Sequence, residues 1–257
     1  MARLMTSDRF EQLIYTKRSE VAEIMLNRPD ALNAFSLELY GELGDAITRA
    51  SNDPEVQVVV VTGAGRAFST GGDLKQGDKV NRDDPRLFAE VSNRMFKAIL
   101  ESEKIVIAKV NGITQAGGLL VVAACDLAIA SDHATFKCPE ALVGLWEPYG
   151  PALLVPQIGI KRAKQMLLTC ETLAAAEAER IGLINRVVAH EELDAATEEL
   201  IERILVTGPK ARSMFKSMIN QYIRDFDTGM VVEALSSEEG CEGMAAFAEK
   251  RRPNWRR

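Results

Sequence analysis

Hydrophobic positions along the chain switch between a spacing of two and a spacing of about 3.6, which predicts strands and helices in a regular order. Residues 11–17 and 20–27 predict paired strands, and the unbroken apolar run at 56–63 predicts a strand buried on both faces. Ser36 is placed to cap the helix that follows it. The remaining predicted elements of this half are a helix near 85–102, a strand at 105–110, a helix that begins around Gly117, and short strands at 126–131 and 134–138.

The strand pattern nearly ends at about residue 150. Helical patterns follow at 150–158, 161–169, 174–181, 191–206, 209–225 and 229–249, broken only by a strand-like run at 184–188. The pattern therefore predicts an α/β protein in which a strand-rich core is followed by a mostly helical C-terminal third.

The composition narrows the possible functions. The chain has 257 residues, of which 47% are hydrophobic and 26% charged, as is usual for a globular protein. The net charge of −6 and the pI near 5.2 argue against nucleic-acid binding, which requires a basic surface. We therefore expect no nucleic-acid partner.

The chain also lacks the patterns of several other protein classes. Its first residues have no apolar run typical of a signal peptide, and no segment reaches the length of a membrane span. The four cysteines are scattered, as in a reduced cytoplasmic protein. His133 and His190 are the only histidines and lie far apart in sequence, so a histidine metal site is not expected, and no G-x-S-x-G motif suggests a hydrolase. We therefore expect a cytoplasmic protein without a bound metal or membrane insertion.

Two glycine pairs give the first indication of chemistry. They lie in "GAGRAFSTGGDL" (63–74) and "NGITQAGGLL" (111–120), each after a predicted strand. The first matches neither the phosphate loop G-x-x-x-x-G-K-[ST] nor the G-x-G-x-x-G turn of a dinucleotide fold. Loops that follow parallel strands lie on one side of a sheet, so Gly72 and Gly117 can each direct a backbone N–H into one crevice. Two such donors, one at a helix N-terminus, form an oxyanion hole.

Six stretches of the chain carry a family resemblance. They are "LNRPDALNAFS" (26–36), "GAGRAFSTGGDL" (63–74), "KVNGITQAGG" (109–118), "CDLAIASDHATFKCPE" (125–140), "AERIGLINRVV" (178–188) and "EGMAAFAEKRRPNW" (242–255). In this order and spacing they resemble the crotonase (enoyl-CoA hydratase/isomerase) superfamily over nearly the whole chain.

The resemblance implies an architecture and a substrate. It implies an acyl-CoA-binding core over residues 1–190, folded as a four-turn ββα spiral, and a helical oligomerisation region over residues 191–257. The expected assembly is a homotrimer or a hexamer made of two trimers. The implied substrate is an acyl-CoA thioester, with no cofactor beyond its coenzyme A moiety, and the shared chemistry is stabilisation of a thioester enolate.

Site residues are also implied by the resemblance. Gly72 and Gly117 would hold the thioester oxygen, and Phe247 and Lys250 would contact the nucleotide end of coenzyme A, often across a subunit boundary. The other predicted substrate contacts are Ala31, Ala34, Thr70, Asp73, Leu74, Leu120, Pro139 and Trp146, the last of which would shape the acyl pocket together with Tyr149.

The choice of reaction depends on the carboxylates. Hydratases of this superfamily use two glutamates, and the corresponding positions here are Leu120 and Glu140. One glutamate suffices to move a proton from C2 to C4 of a 3-enoyl-CoA, as in those isomerases of the superfamily that have leucine at the first position. The sequence thus favours double-bond isomerisation by Glu140, with Glu147 as a possible second acid or base. Hydration, thioester hydrolysis, C–C cleavage and a catalytically weak acyl-CoA-binding scaffold are the alternatives.

Overall fold

The computed structural model of the protein describes residues 10–73 and 84–255. Its strands, in chain order, are β1 (Leu13–Arg18), β2 (Val21–Leu26), β3 (Val58–Gly63), β4 (Ala67–Ser69), β5 (Ile105–Val110), β6 (Ile113–Gln115), β7 (Leu127–Ser131), β8 (Thr135–Lys137), β9 (Leu173–Ala174) and β10 (Arg186–Val188). Its α-helices are α1 (Leu37–Asn52), α2 (Pro85–Glu101), α3 (Gly117–Ala124), α4 (Tyr149–Thr169), α5 (Ala175–Arg180), α6 (Leu193–Leu205), α7 (Pro209–Asn220), α8 (Thr228–Ser236) and α9 (Glu238–Ala248). Short 3-10 helices cover Pro29–Ala31, Glu140–Val143 and His190–Glu192.

The strands form two sheets, which confirms the predicted α/β class. The larger sheet has the order β1-β2-β3-β5-β7-β10 and the smaller one the order β4-β6-β8-β9. Pairing is antiparallel for β1 with β2 and for β8 with β9, and parallel elsewhere. Strands β3, β5 and β7 of the larger sheet are each followed by a strand of the smaller sheet, so the chain alternates between the two sheets as it winds.

This winding determines where the functional loops meet. Strands β4, β6 and β8 are parallel neighbours, and the carboxyl ends of parallel neighbours lie at the same edge of a sheet. Gly72 follows β4, Gly117 follows β6 and Glu140 follows β8. The fold therefore brings these three positions to one edge of the smaller sheet.

The core lies between the larger sheet and the helices packed on it. All six residues of β3 are buried, as the unbroken apolar run predicts. The predicted cap of α1 is confirmed, because the Ser36 hydroxyl accepts a hydrogen bond from the N–H of Leu39 at 3.1 Å. Helices α1 and α2 pack on each other, and fully burying each large apolar side chain on their shared faces stabilises the fold by roughly 1.5–3 kcal/mol.

The helical C-terminal third is confirmed, but its boundaries differ from the prediction. The break predicted between the helices at 150–158 and 161–169 is present inside the element α4, because Gly159 has non-helical dihedral angles (φ 76°, ψ 158°). The single helix predicted at 229–249 is two helices, since Ser237 adopts an extended conformation and caps α9. The short strands β4, β6 and β9 were not predicted, because two or three residues are too few for a period of two to be visible.

Candidate active site

The two predicted oxyanion-hole glycines belong to segments that touch. Gly71 has a φ of +79°, and a Cβ atom there would lie 2.7 Å from the Gly117 nitrogen and would overlap the Ala116 Cβ. Only glycine is therefore compatible with this approach of the two segments. The structure confirms that the loop after β4 and the start of α3 lie side by side.

The backbone of the first segment is anchored to the N-terminal part of the chain. The N–H of Phe35 donates to the carbonyl of Gly71 at 2.7 Å, and the N–H of Asp73 donates to the carbonyl of Phe35 at 2.8 Å. These two bonds leave the N–H of Gly72 unused, and it has no acceptor within the described ranges. A Cβ atom at Gly72 would meet nothing within 4 Å, so this backbone faces open space.

The N–H of Gly117 is also unused. Ala116 turns the chain with φ 49° and ψ −131°, and the first N–H bonded back to this turn is that of Leu120, which donates to the Ala116 carbonyl at 3.1 Å. No residue in the described part of the chain accepts a bond from the N–H of Gly117. Since unpaired N–H groups at a helix N-terminus carry a partial positive charge, this end of α3 favours a negatively charged oxygen.

Glu140 begins the 3-10 helix that follows β8, and its carboxyl group accepts a hydrogen bond from its own backbone N–H, which favours the charged form. Its Oε2 atom is buried and has no hydrogen-bond partner, and no Lys or Arg among the described residues pairs with it. Burial, together with the nearby charge of Glu147, raises the pKa of Glu140 to about 8. The group therefore holds a proton near neutral pH and can act as an acid or a base.

The turn that carries Glu140 is supported by the C-terminal helix. A Cβ atom at Gly243 of α9 would overlap the carbonyl of Val143. Gly144 has a φ of +63°, and a Cβ there would lie 2.6 Å from the carbonyl oxygen of Glu239. This close packing of α9 on the 3-10 helix restricts the backbone that orients Glu140.

Glu147 lies just before α4 and is near enough to Glu140 to act on its pKa. Its carboxyl oxygens accept hydrogen bonds from the N–H of Gly150 at 2.9 and 3.1 Å. Burial raises the pKa of Glu147 to about 7, against the lowering effect of the backbone N–H groups of Gly150 and Tyr149. The charge of Glu147 also raises the pKa of Glu140, so the two carboxyl groups interact electrostatically.

Tyr40 connects the carboxyl groups to the oxyanion-hole glycines. A Cβ atom at Gly117 would lie 2.5 Å from the Tyr40 hydroxyl. Burial raises the pKa of Tyr40, and so do Tyr149, Glu140 and Glu147. Tyr40 therefore lies next to Gly117 and within electrostatic range of both carboxyl groups. The region bounded by Gly72, Gly117, Tyr40, Glu140 and Glu147 is called the chamber.

Tyr149 is the second hydroxyl of the chamber wall. Its hydroxyl lies 3.3 Å from that of Ser92, within hydrogen-bond distance, and its ring packs against Phe96 with centroids 4.3 Å apart. Burial raises the pKa of Tyr149 to about 12. The contribution of Tyr149 to an acyl pocket stays a prediction.

The predicted coenzyme A contacts near the N-terminus belong to two segments that are held together by hydrogen bonds and an ion pair. Asn33 is fully buried, and its side chain donates to the carbonyls of Ala64 and Ala67 at 2.9 and 2.8 Å. Arg28 forms an ion pair with Asp73 at 2.9 Å and donates to the Ala34 carbonyl. These contacts hold the turn with Ala31 and Ala34 against the segment with Thr70 and Asp73.

The remaining predicted site residues lie in different parts of the structure. Leu120 is 2% exposed and belongs to the hydrophobic core, while Pro139 and Trp146 are partly exposed beside the Glu140 turn. Phe247 and Lys250 lie on the surface at the end of α9, and neither is hydrogen bonded to a side chain of the chamber within the described ranges. Leu74 lies outside the described residues.

Sequence reasoning missed Tyr40, Arg28 and Asn33 as site residues. Tyr40 occupies an ordinary apolar position of an amphipathic helix, so the pattern contains no signal for it. Arg28 and Asn33 lie inside a stretch that carries the family resemblance, which could have indicated them.

Over residues 10–73 and 84–255, no group of three or more His, Cys, Asp or Glu side chains is arranged to hold a metal ion. In the same ranges no helix combines the length and apolar character needed to span a bilayer.

Comparisons with known proteins agree with this geometry. The family model described as "Enoyl-CoA hydratase/isomerase" matches residues 16–257. The chain is 34% identical to a crotonyl-CoA hydratase of Syntrophomonas wolfei subsp. wolfei, covering 96% of this chain and 98% of the relative. It is 35% identical to a short-chain-enoyl-CoA hydratase of Clostridium acetobutylicum, covering 93% and 95%. Among solved structures, an enoyl-CoA hydratase of Mycobacterium avium subsp. paratuberculosis matches with a TM-score of 0.84 and 31% identity, covering 97% of this chain and 100% of the other.

Proposed function

The chain belongs to the enoyl-CoA hydratase/isomerase family, and we propose that it adds water reversibly to the double bond of a 2-enoyl-CoA thioester. The observation that carries this proposal is the second buried carboxyl group. Glu147 supplies, from the segment before α4, the group that is missing at Leu120. The names of the hydratase relatives support the same reaction.

The two carboxyl groups take complementary roles in this proposal. Glu147 has the lower pKa, about 7, and in its charged form it removes a proton from the water that attacks C3. Glu140 has the higher pKa, about 8, and in its protonated form it donates a proton to C2. One proton between two carboxyl groups is the state that such an acid and base pair requires.

The glycine N–H groups stabilise the charge that develops between these steps. As water attacks C3, electrons move onto the thioester oxygen to give an enolate. The free N–H groups of Gly72 and Gly117 are in adjoining segments and would both donate to that oxygen. A preorganised pair of donors in a chamber shielded from water stabilises such a transition state by several kcal/mol.

The test measures how much each of the two carboxyl groups contributes to turnover. Hydration of crotonyl-CoA is followed by the loss of absorbance of the conjugated double bond, for the wild type, Glu147→Gln and Glu140→Gln. We expect both variants to lose about 10²- to 10⁴-fold in kcat, since glutamine can still accept the bond from Gly150 but cannot remove a proton. Glu191→Gln, at an exposed position, is the matched control. Unchanged hydration in Glu147→Gln would exclude Glu147 as the second carboxyl group.

Double-bond isomerisation by Glu140 alone is the second candidate, and Leu120 favours it. This side chain is buried in the core and offers no carboxylate at the first glutamate position. A 3-enoyl-CoA incubated in deuterated water would then give the 2-enoyl product, and Glu147→Gln would leave this rate unchanged. Conversion that needs both glutamates would argue for hydration instead.

Self-association is part of the same proposal. Helix α7 and the residues after it expose one apolar face, whose members are Met214, Phe215, Met218, Ile219 and Tyr222. Such a face is typical of a subunit interface, which supports the predicted homotrimer or hexamer, and light scattering would measure its mass. The contacts of Phe247 and Lys250 with coenzyme A and the cytoplasmic location stay predictions.

A further inference from the structure

Tyr40 is held rigidly in the chamber wall. Its ring stacks on Phe35 with centroids 4.6 Å apart and an interplanar angle of 24°. The ring of Phe88 meets it edge-on at 5.5 Å and 90°. The residue is 4% exposed, and its hydroxyl would lie 2.5 Å from a Cβ atom placed on Gly117.

The Tyr40 hydroxyl has no hydrogen-bond partner in the protein as described over residues 10–73 and 84–255. This contrasts with Tyr149, whose hydroxyl is within hydrogen-bond distance of Ser92. A hydroxyl without a protein partner has a donor hydrogen available for a polar atom of a ligand. The nearest backbone to it is Gly117, whose own N–H is also unused.

We propose that the Tyr40 hydroxyl is a third hydrogen-bond donor of the oxyanion hole, which binds the thioester oxygen together with the N–H groups of Gly72 and Gly117. This proposal rests on the proposed function only in taking an acyl-CoA thioester as the ligand. Three polar hydrogens without partners then converge on one oxygen, which has enough lone-pair density to accept them as negative charge develops.

The surroundings of Tyr40 suit a donor rather than a proton-transfer group. Burial and the neighbouring Tyr149, Glu140 and Glu147 raise its pKa, so that it keeps its proton near neutral pH. The aromatic contacts with Phe35 and Phe88 fix the ring before the ligand arrives. Phe35 also holds the Gly71 carbonyl through its N–H at 2.7 Å, so the tyrosine and the loop of Gly72 share one support.

The test compares Tyr40→Phe with Tyr15→Phe, a change at another buried tyrosine that lies in the core packed against Arg49. The first readout is the absorbance of a bound 3-phenyl-2-enoyl-CoA, which moves to longer wavelength when hydrogen bonds polarise the thioester carbonyl. The second readout is the pair of steady-state constants, kcat and KM, each measured separately. We expect Tyr40→Phe to reduce the absorbance shift and to lower kcat by about tenfold to a thousandfold, with little change in KM and no loss of thermal stability. Tyr15→Phe should leave both readouts as in the wild type.

The outcomes distinguish this inference from the proposed reaction. An equal absorbance shift in the wild type and Tyr40→Phe, with equal kcat, would overturn the role of Tyr40. A wild-type shift without any hydration would contradict the proposed reaction while a reduced shift in Tyr40→Phe still supported the third donor. A wild type that shows no shift at all would overturn both.

Discussion

Two buried carboxyl groups of this protein lie in contrasting surroundings. The Oδ2 atom of Asp126 accepts hydrogen bonds from Lys216 Nζ at 2.8 Å and from the N–H of Val106 at 2.7 Å. Lys216 also donates to the carbonyls of Ile99 and Lys104 at 2.9 and 3.0 Å, so every polar group there has partners. Glu140, by comparison, has a buried oxygen with no partner and a carboxylate as its charged neighbour.

The difference distinguishes a carboxyl group that stabilises the fold from one that is available for the reaction. The ion pair of Asp126 and Lys216 joins α7 to the strands of the larger sheet, and its charges are compensated where they stand. The charged form of the Glu140 carboxyl group would be more stable in water. The rest of the fold offsets the free energy that its burial costs. Such uncompensated groups cluster at active sites, because a reacting ligand completes their interactions.

The largest expected effect is the loss of activity in Glu140→Gln. The substitution keeps the shape of the side chain but removes the proton-transfer group, so kcat with either a 2-enoyl-CoA or a 3-enoyl-CoA should fall about 10²- to 10⁴-fold. Stability in urea should not fall, because no ion pair is lost. Activity near that of the wild type would show that the uncompensated carboxyl group is not catalytic.

The converse change is Lys216→Met, which leaves Asp126 buried without its cation. We expect a loss of about 3–5 kcal/mol in the free energy of unfolding, measured by urea titration, with kcat per folded molecule close to the wild-type value. The double variant with Asp126→Asn removes both charges and should recover part of the stability. A normal stability with a lowered kcat would refute the structural role of this pair.

The pH dependence of the free energy of unfolding should further distinguish Glu140 from Asp126. The pKa of Glu140 rises from 4.5 to about 8 on folding, so between these values the folded state binds more protons and wild-type stability falls as pH increases. Glu140→Gln lacks this effect, and its stability relative to the wild type should rise with pH by up to about 1.4 kcal/mol per pH unit. Urea unfolding at several pH values between 5 and 8 measures the difference. A constant difference would mean that Glu140 titrates normally in the folded protein.

The smallest predicted effect concerns the two adjacent glycines before Asp73. Gly71→Ala places a side chain at positive φ and against Ala116, and should cost about 1–2 kcal/mol or more. Gly72→Ala adds a methyl group where nothing lies within 4 Å, so the melting temperature should change little. Equal destabilisation by the two substitutions would contradict the described contact between the loop and α3.

Much of the fold could be predicted because it depends on local patterns. The apolar run of β3 and the cap at Ser36 appear directly in the sequence. The short strands β4 and β6 could not be predicted, although they carry Gly72 and Gly117 to a common edge. Their pairing depends on neighbours about 45 residues away in the chain, and such long-range pairing leaves no periodic trace in so few residues.

The sequence by itself determined the family, the order of the helices and the longer strands, and the identity of the glycines and glutamates available for chemistry. Only the tertiary structure decided that the charge of Glu147 acts on Glu140 and that the Tyr40 hydroxyl lies against Gly117. The physical reason is that burial and Coulomb interactions depend on distances between residues far apart in the chain. A glutamate or a tyrosine therefore acquires its pKa and its partners from the fold, not from its sequence neighbours.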